Sequence, residues 1–254
     1  AMSLLTHFSA ASPEWGLSEI ARSTGINKVI AHRLLRTLAA FDMVEQDARS
    51  RRYRLGPAVV ELAGHQLAKL RPLEAGRPHL LKLWEETRET VHLVVPRRHE
   101  VAAMLVLESP QPMRVAVNVG ERAPAYCTPS GKTFLAFGPD ELREAVLAGP
   151  LPRRTPATIT SRAALARELV EVRARGFALD FEEINEYVRA VAAPIFNRAG
   201  EVEAAVVLLG PAVRMPRRRM LQFGRRVMQT AALISRELGH SPVESPPMTV
   251  KRTI

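Results

Sequence analysis

Residues 17–38 read LSEIARSTGINKVIAHRLLRTL, and their spacing decides the N-terminal fold. Leu17, Ile20 and Ala21 form one helical stripe; Ile30, Leu34, Leu35 and Leu38 form a second. Between them stand Ser23, Thr24 and Gly25. Glycine supplies the positive φ that a tight helix–helix turn needs, and Asn27 is a good cap for the helix that follows. Two short helices joined in this way make a helix-turn-helix, whose second helix can lie in a DNA major groove. That second helix carries Lys28, His32, Arg33 and Arg36 and no acid. Its polar face is therefore cationic, although any small helical hairpin would also show leucine stripes and a glycine.

The flanking residues extend this reading. Residues 2–11 read as a preceding helix with Leu4, Leu5 and Phe8 inward. After the loop Ser12–Gly16, Gly16 stands where the next helix needs its cap, and Glu19 is placed to reach back to it. Beyond the second helix, Phe41–Gln46 reads as a strand, Asp47–Ser50 as a turn and Arg51–Leu55 as the returning strand. A hairpin in this place is a wing, and Arg49, Arg51 and Arg52 at its tip are spaced to meet phosphates. Gly56-Pro57 stops the strand. Val59, Leu62, Ala63, Leu67 and Leu70 then predict a linker helix over 57–70, ended by Arg71-Pro72.

The whole chain of 254 residues suggests one large domain or two ordinary ones. Its formal net charge is +10. Residues 1–72 contribute +4 and the remainder +6, so the basicity is not confined to the helix-turn-helix and fits either a polyanionic partner or an acidic ligand. The single Cys127 excludes an intrachain disulfide and fits a reducing compartment. No run approaches the roughly 20 apolar residues needed to cross a bilayer. The N-terminus lacks the basic region and long apolar stretch of a signal peptide. These features together predict a cytoplasmic protein.

Residues 74–240 read as a second domain. A helix is expected over 79–88, strands at Thr90–Val95, Val101–Leu107 and Met113–Val119, and helices at Ser130–Phe137, 140–148 and Ser161–Arg175. Two more strands follow at 187–196 and 201–209, then a helix over 216–238. Antiparallel strand groups separated by helices make this α+β. The tail over 241–254, rich in proline, is expected to be disordered. Ser130-Gly131-Lys132-Thr133 looks like the end of a phosphate-binding loop, but Tyr126 stands where that loop needs its first glycine. Asp180, Glu182 and Glu183 have no neighbouring nucleophile or His pair that would make them catalytic. His92 and His99 are more simply structural, and Cys127 has no base beside it. The six arginines between Arg214 and Arg226 form a solvated or subunit-facing helix side.

The stretches GLSEIARSTGINK, AHRLLRTL and RYRLG resemble the N-terminal domain of the IclR family of bacterial transcriptional regulators. The likeness continues through Gly120, Ala123-Pro124, the SGK and LAF of 130–137, Arg175-Gly176-Phe177-Ala178 with Asp180, and Val191–Phe196 followed by Gly200 and Leu209-Gly210-Pro211. The resemblance implies a winged helix-turn-helix domain over 1–56, a linker over 57–73 and an effector-binding domain over 74–240 with an antiparallel sheet similar to GAF and PAS sensors. It implies a regulator that binds double-stranded operator DNA through Lys28, Val29, His32, Arg33, Arg36, Arg49, Arg51 and Arg52. It implies a small-molecule effector held by Ser130, Gly131, Asp180, Val188, Ala190, Val207 and Leu209, with no cofactor or metal, and a homodimer or dimer of dimers. Two departures stand out. Family members usually carry small hydroxyl residues where this chain has Val29 and Ile30; we expect Val29 to face DNA and Ile30 to join the core. Ala190, Val207 and Leu209 replace the Cys or Ser found where small keto acids bind, which suggests a carboxylate ligand with a larger apolar or aromatic body, unless the three are ordinary core. The rival readings are an enzyme built on the α+β domain and a protein-interaction module.

Overall fold

The structure, a computed structural model, describes residues 1–9, 12–67 and 71–241, with backbone alone at 64–67. The chain divides into two compact units with the boundary between Leu70 and Arg71. The expected disordered tail from 242 onward lies outside the described residues.

In the first unit, α1 (Met2–Leu5) is followed by α2 (Leu17–Thr24), α3 (Lys28–Ala40), β1 (Val44–Gln46), β2 (Tyr53–Leu55) and α4 (Pro57–Leu67). Helix α1 is much shorter than residues 2–11; the chain turns after Leu5, and Ala10 and Ala11 lie outside the described residues. Leu4, Phe8, Ile20, Leu35, Leu38, Val44 and Tyr53 make the core. Gly25 closes α2 at φ 68°, as a tight turn into α3 requires. Ile30 departs from expectation: it is 53% exposed, and Ala31, one residue on, is the buried position. The inward stripe of α3 is Ala31, Leu35 and Leu38 with Leu34 partly buried beside it, so the leucines lie inward as expected and Ile30 alone falls outside the stripe.

The second unit opens with α5 (Arg71–Thr87), then β3 (Thr90–Arg97), β4 (Glu100–Leu107), β5 (Arg122–Pro124), α6 (Pro129–Phe137), α7 (Asp140–Ala148), α8 (Arg162–Arg175), β6 (Ala178–Phe181), β7 (Val188–Phe196), β8 (Val202–Pro211) and α9 (Arg217–Glu237). Arg71-Pro72, expected to stop a helix, instead begins one: proline in a first turn lacks only an N–H that has no intrahelical partner anyway. The six strands form one antiparallel sheet in the order β5-β4-β3-β8-β7-β6, which fulfils the α+β expectation. Strands β7 and β8 read as nearly unbroken apolar runs because both faces are covered. Pro194 is tolerated inside β7 because β6 pairs with β7 only as far as Ala192.

Alternation along the strands assigns each residue a face. Val91, Leu93, Val191, Ala193, Val206 and Leu208 pack with Leu80 and Leu83 of α5 and Met220, Phe223 and Val227 of α9. The opposite face, with Val94, Ala190, Ala192, Ala205, Val207 and Leu209, meets Phe134 of α6. Helices α7 and α8 pack behind α6. Each fully buried aliphatic or aromatic side chain of these layers contributes about 1.5–3 kcal/mol.

Residues 113–119 are not a strand. Val115 and Val117 alternate in burial as a strand would, but β5 occupies the end of β4 at Glu100–Ala102. Val115 O accepts from the Thr90 hydroxyl at 2.9 Å, not from a backbone ladder.

Gly131 shows how tightly α6 is seated. A Cβ there would lie 2.1 Å from the Ala125 backbone oxygen. Gly131→Ala is therefore expected to destabilise the second unit by at least about 1–3 kcal/mol, seen as an earlier thermal unfolding transition. An unchanged transition would show that the Ala125 turn yields freely.

Candidate functional site

Two surfaces draw together the residues singled out in the sequence. The first is on the N-terminal unit. Glu19 accepts from the Gly16 N–H at 3.0 Å, which fastens the start of α2. The Asn27 side chain accepts from the Val29 N–H at 2.9 Å and caps α3. With Ala31, Leu35 and Leu38 buried, Lys28, Val29, His32, Arg33 and Arg36 are all exposed on the outer side of α3. The wing turn is built by Asp47, whose Oδ1 accepts from the N–H groups of Arg49 (3.1 Å) and Ser50 (2.6 Å). Lys28 and His32 share an open groove with Ser50 and Arg51. Arg49 and Arg51 are exposed, whereas Arg52 is placed differently from expectation. Its guanidinium pairs with Glu19 at 2.7 Å and donates to Glu14 O at 3.1 Å. Arg52 ties the wing to the start of α2, and its charge is already partnered.

The second surface is a cavity of about 110 Å³ in the C-terminal unit, between the sheet and α6. Register sets its floor. Asp180 pairs with Ala190 and Ala190 with Leu209; Val207 pairs with His92. Adjacent strands and alternate residues bring Val188, Ala190, Val207, Leu209, His92 and Asp180 to one wall. Ser130, in the first turn of α6, lines the facing side. Six of the seven residues expected at an effector site thus line one cavity. Gly131 does not: its N–H is held by the Thr128 hydroxyl at 3.2 Å, and its missing side chain makes room for the Ala125 backbone.

The polar groups of this cavity are unusual. Asp180 is 1% exposed; its Oδ1 accepts from the Glu183 N–H at 2.7 Å, while Oδ2 has no partner among the described residues. Burial, with the Glu183 charge adding to it and Lys132 opposing, pushes its carboxyl up to about 7. His92, 8% exposed, has no partner for Nδ1 among the described residues. Burial pulls its imidazole down to about 4, so it is neutral at pH 7. Lys132 does not supply a free cation. It is fully buried, donates to Leu179 O at 2.7 Å and pairs with Glu183. An unpartnered buried polar atom costs about 1–3 kcal/mol, so Asp180 and His92 mark places where something else can bond.

Sequence reasoning missed His92 as a cavity residue. The signal was present in its strand: His92 and Val94 alternate on the same face, and only the pairing with Val207 shows which face that is. Cys127 is buried and its thiol is pushed up to about 11, which keeps it protonated. Among the described residues no group of His, Cys, Asp or Glu is placed to hold a metal ion, and no helix is long and apolar enough to cross a membrane.

Comparison with known proteins places both units. Residues 1–48 match the IclR helix-turn-helix domain, and residues 65–236 match the family described as Bacterial transcriptional regulator IclR C-terminal. The HTH-type transcriptional regulator BhcR of Paracoccus denitrificans is 33% identical over 86% of this chain and 79% of its own. The Glycerol operon regulatory protein of Streptomyces griseus is 34% identical over 88% of this chain and 89% of its own. Among solved structures, an IclR homolog from Microbacterium hydrocarbonoxydans complexed with 4-hydroxybenzoate is 27% identical, with a TM-score of 0.85 over 94% of this chain and 98% of that one.

The two shifted groups predict opposing pH effects on stability. The raised Asp180 carboxyl stabilises the fold at pH below its ordinary value, about 3.8, and that contribution is lost as pH rises to about 7. The lowered His92 imidazole contributes stability above its ordinary value, about 6.5, which is lost as pH falls toward 4. Between about pH 4 and 6.5 the slopes offset each other. In Asp180→Asn, stability measured by denaturant titration should climb with pH more steeply than in the wild-type protein over that window; an unchanged slope would contradict the assignment of Asp180.

Proposed function

This chain is a member of the IclR family of bacterial transcriptional regulators, and on that premise we propose that it is a cytoplasmic homo-oligomer whose winged helix binds double-stranded operator DNA under control of an organic acid held in the C-terminal cavity. Lys28, His32, Arg33 and Arg36 on α3 present a face to the groove whose charged groups are all cationic, and Arg49 and Arg51 meet phosphates beside it. Arg52, engaged by Glu19, positions the wing instead of contacting DNA. Helix α4, with Val60 and Leu62 exposed, supports pairing of two copies.

The observation that carries the ligand reading is the pair of buried, unpartnered atoms, Asp180 Oδ2 and His92 Nδ1, lining an otherwise largely apolar cavity. A neutral imidazole can donate to a carboxylate oxygen, and Asp180 can receive a hydroxyl or share its own proton. Asp180 lies on β6 and His92 on β3, three strands apart and two residues out of line, with the cavity floor between them. A ligand with an apolar body over Ala190, Val207 and Leu209 and a polar group at each end suits that layout. The 4-hydroxybenzoate of the Microbacterium relative has this chemistry. The apolar floor favours such a body over the small keto acids bound where Cys or Ser stands.

Control of DNA binding requires that the ligand favour one arrangement of the paired subunits. A coupling of about 1–3 kcal/mol changes operator affinity by roughly 5–150-fold. The test is titration of a DNA site, enriched from a random library, with and without a panel of aromatic and aliphatic acids. At least one acid should shift wild-type affinity within that range. Leu209→Glu should abolish the response by placing an unpaired charge in the cavity, while binding to DNA alone survives. A response that survives in Leu209→Glu would move the ligand elsewhere.

A further inference from the structure

The recognition helix presents two apolar side chains among its cations. Val29 is 69% exposed and Ile30 is 53% exposed, in a helix whose inward positions are Ala31, Leu35 and Leu38. Their placement is fixed from both sides. Asn27 caps the helix through the Val29 N–H, which sets the first turn, and Ala31 is fully buried, which sets the rotation. At about 100° per residue, Val29 lies one turn below Arg33 and two turns below Arg36 on the line opposite the core. Ile30 lies to one side of that line. Val29 is thus the apolar member of the stripe Val29–Arg33–Arg36, and among the described residues most of its surface is uncovered. The occupant of this surface is indicated by charge: Lys28, His32, Arg33 and Arg36 surround it, with Arg51 across a shared groove from Lys28 and His32. Such a surround fits a polyanion.

We infer that Val29, flanked by Ile30, reads thymine by packing against its C5-methyl group, so that the DNA site of this protein carries thymine under the N-terminal turn of α3. The inference rests on the DNA-binding reading above and deepens it. Neither side chain can donate or accept a hydrogen bond, so neither can read the polar edge of a base or hold a phosphate. In the major groove the thymine methyl is the apolar feature that distinguishes one base pair from the others. The first turn of a recognition helix is the part that reaches base edges. The arginines one and two turns on supply affinity that does not depend on this contact, so the apolar pair can discriminate without being needed for binding as such.

The experiment uses the full chain. DNA sites are enriched from a random duplex library, and each thymine of the enriched half-site is then replaced singly by deoxyuridine, which removes only the methyl. Losing one buried methyl corresponds to about 0.8 kcal/mol, or roughly a four-fold loss of affinity. We expect that loss at one or two thymines with the wild-type protein, and none of it with Val29→Ser. Because Val29 is exposed, Val29→Ser should leave the melting temperature unchanged. Ile30→Ser should reduce the effect in part. Enriched sites whose affinity is indifferent to every methyl, or a methyl effect that persists in Val29→Ser and Ile30→Ser alike, would overturn the inference while leaving DNA binding intact. Failure to enrich any sequence would overturn the DNA-binding reading itself.

Discussion

A single buried ammonium organises the C-terminal unit. Lys132 has no exposure to solvent, and a charge in that position is tolerable only if it is paired and hydrogen-bonded. It reaches from α6 to the Leu179 carbonyl on β6 and to Glu183 in the loop beyond. Glu168 of α8 lies 3.9 Å away. Removing one partner of a buried pair typically costs about 3–5 kcal/mol, because the other is left uncompensated. The consequence is geometric. Glu183, held by Lys132, gives its backbone N–H to Asp180, while the same helix presents Ser130 from its first turn. The two polar walls of the cavity are thereby set by one ion pair. It also explains the Ser130-Gly131-Lys132 stretch, which looks like a fragment of a phosphate loop: glycine allows close backbone contact, lysine anchors the helix, and only serine faces the cavity.

The cavity's electrostatics follow from that arrangement. Lys132 does not line the cavity and is engaged by Leu179 and Glu183, the cavity's histidine is neutral at pH 7, and burial pushes its aspartate up to about 7. A ligand therefore meets hydrogen-bonding groups and helix α6 more than fixed charge. Glu121 and Arg122 also line the cavity, but both are exposed, so water screens their charges. A compact, fully ionised acid has little to hold it on such a floor of Ala190, Val207 and Leu209. An apolar body recovers burial energy at about 25 cal/mol per Å² while its polar ends satisfy Asp180 and His92.

Much of this was legible in the sequence, for physical reasons. The helix-turn-helix announced itself because glycine, cap and apolar spacing are local signals. The strands of the sheet core were visible as long apolar runs. Features that depend on distant partners were hidden. Ile30 looked like core because β-branched apolar residues at helical spacing usually are; Ala31, a small residue, takes the inward position instead. Residues 113–119 had strand alternation but pair with no strand; the Val115 carbonyl bonds the Thr90 hydroxyl instead. Pro72 looked like a stop because a proline just outside a helix and one just inside it look alike in sequence. Arg52 looked like its neighbours, and its pairing with Glu19, 33 residues away, could not be inferred from spacing. His92 needed the register of β3 against β8 before its face was known.

The central claim is that the atoms left unpartnered in the cavity are ligand contacts. The most direct measurement is a crystal structure of the full chain grown with an acid selected by its effect on DNA binding. The account predicts electron density for that acid over Ala190, Val207 and Leu209, with polar atoms within hydrogen-bonding distance of Asp180 Oδ2 and His92 Nδ1. Density for the acid elsewhere, with those two atoms bonded only to water, would contradict it.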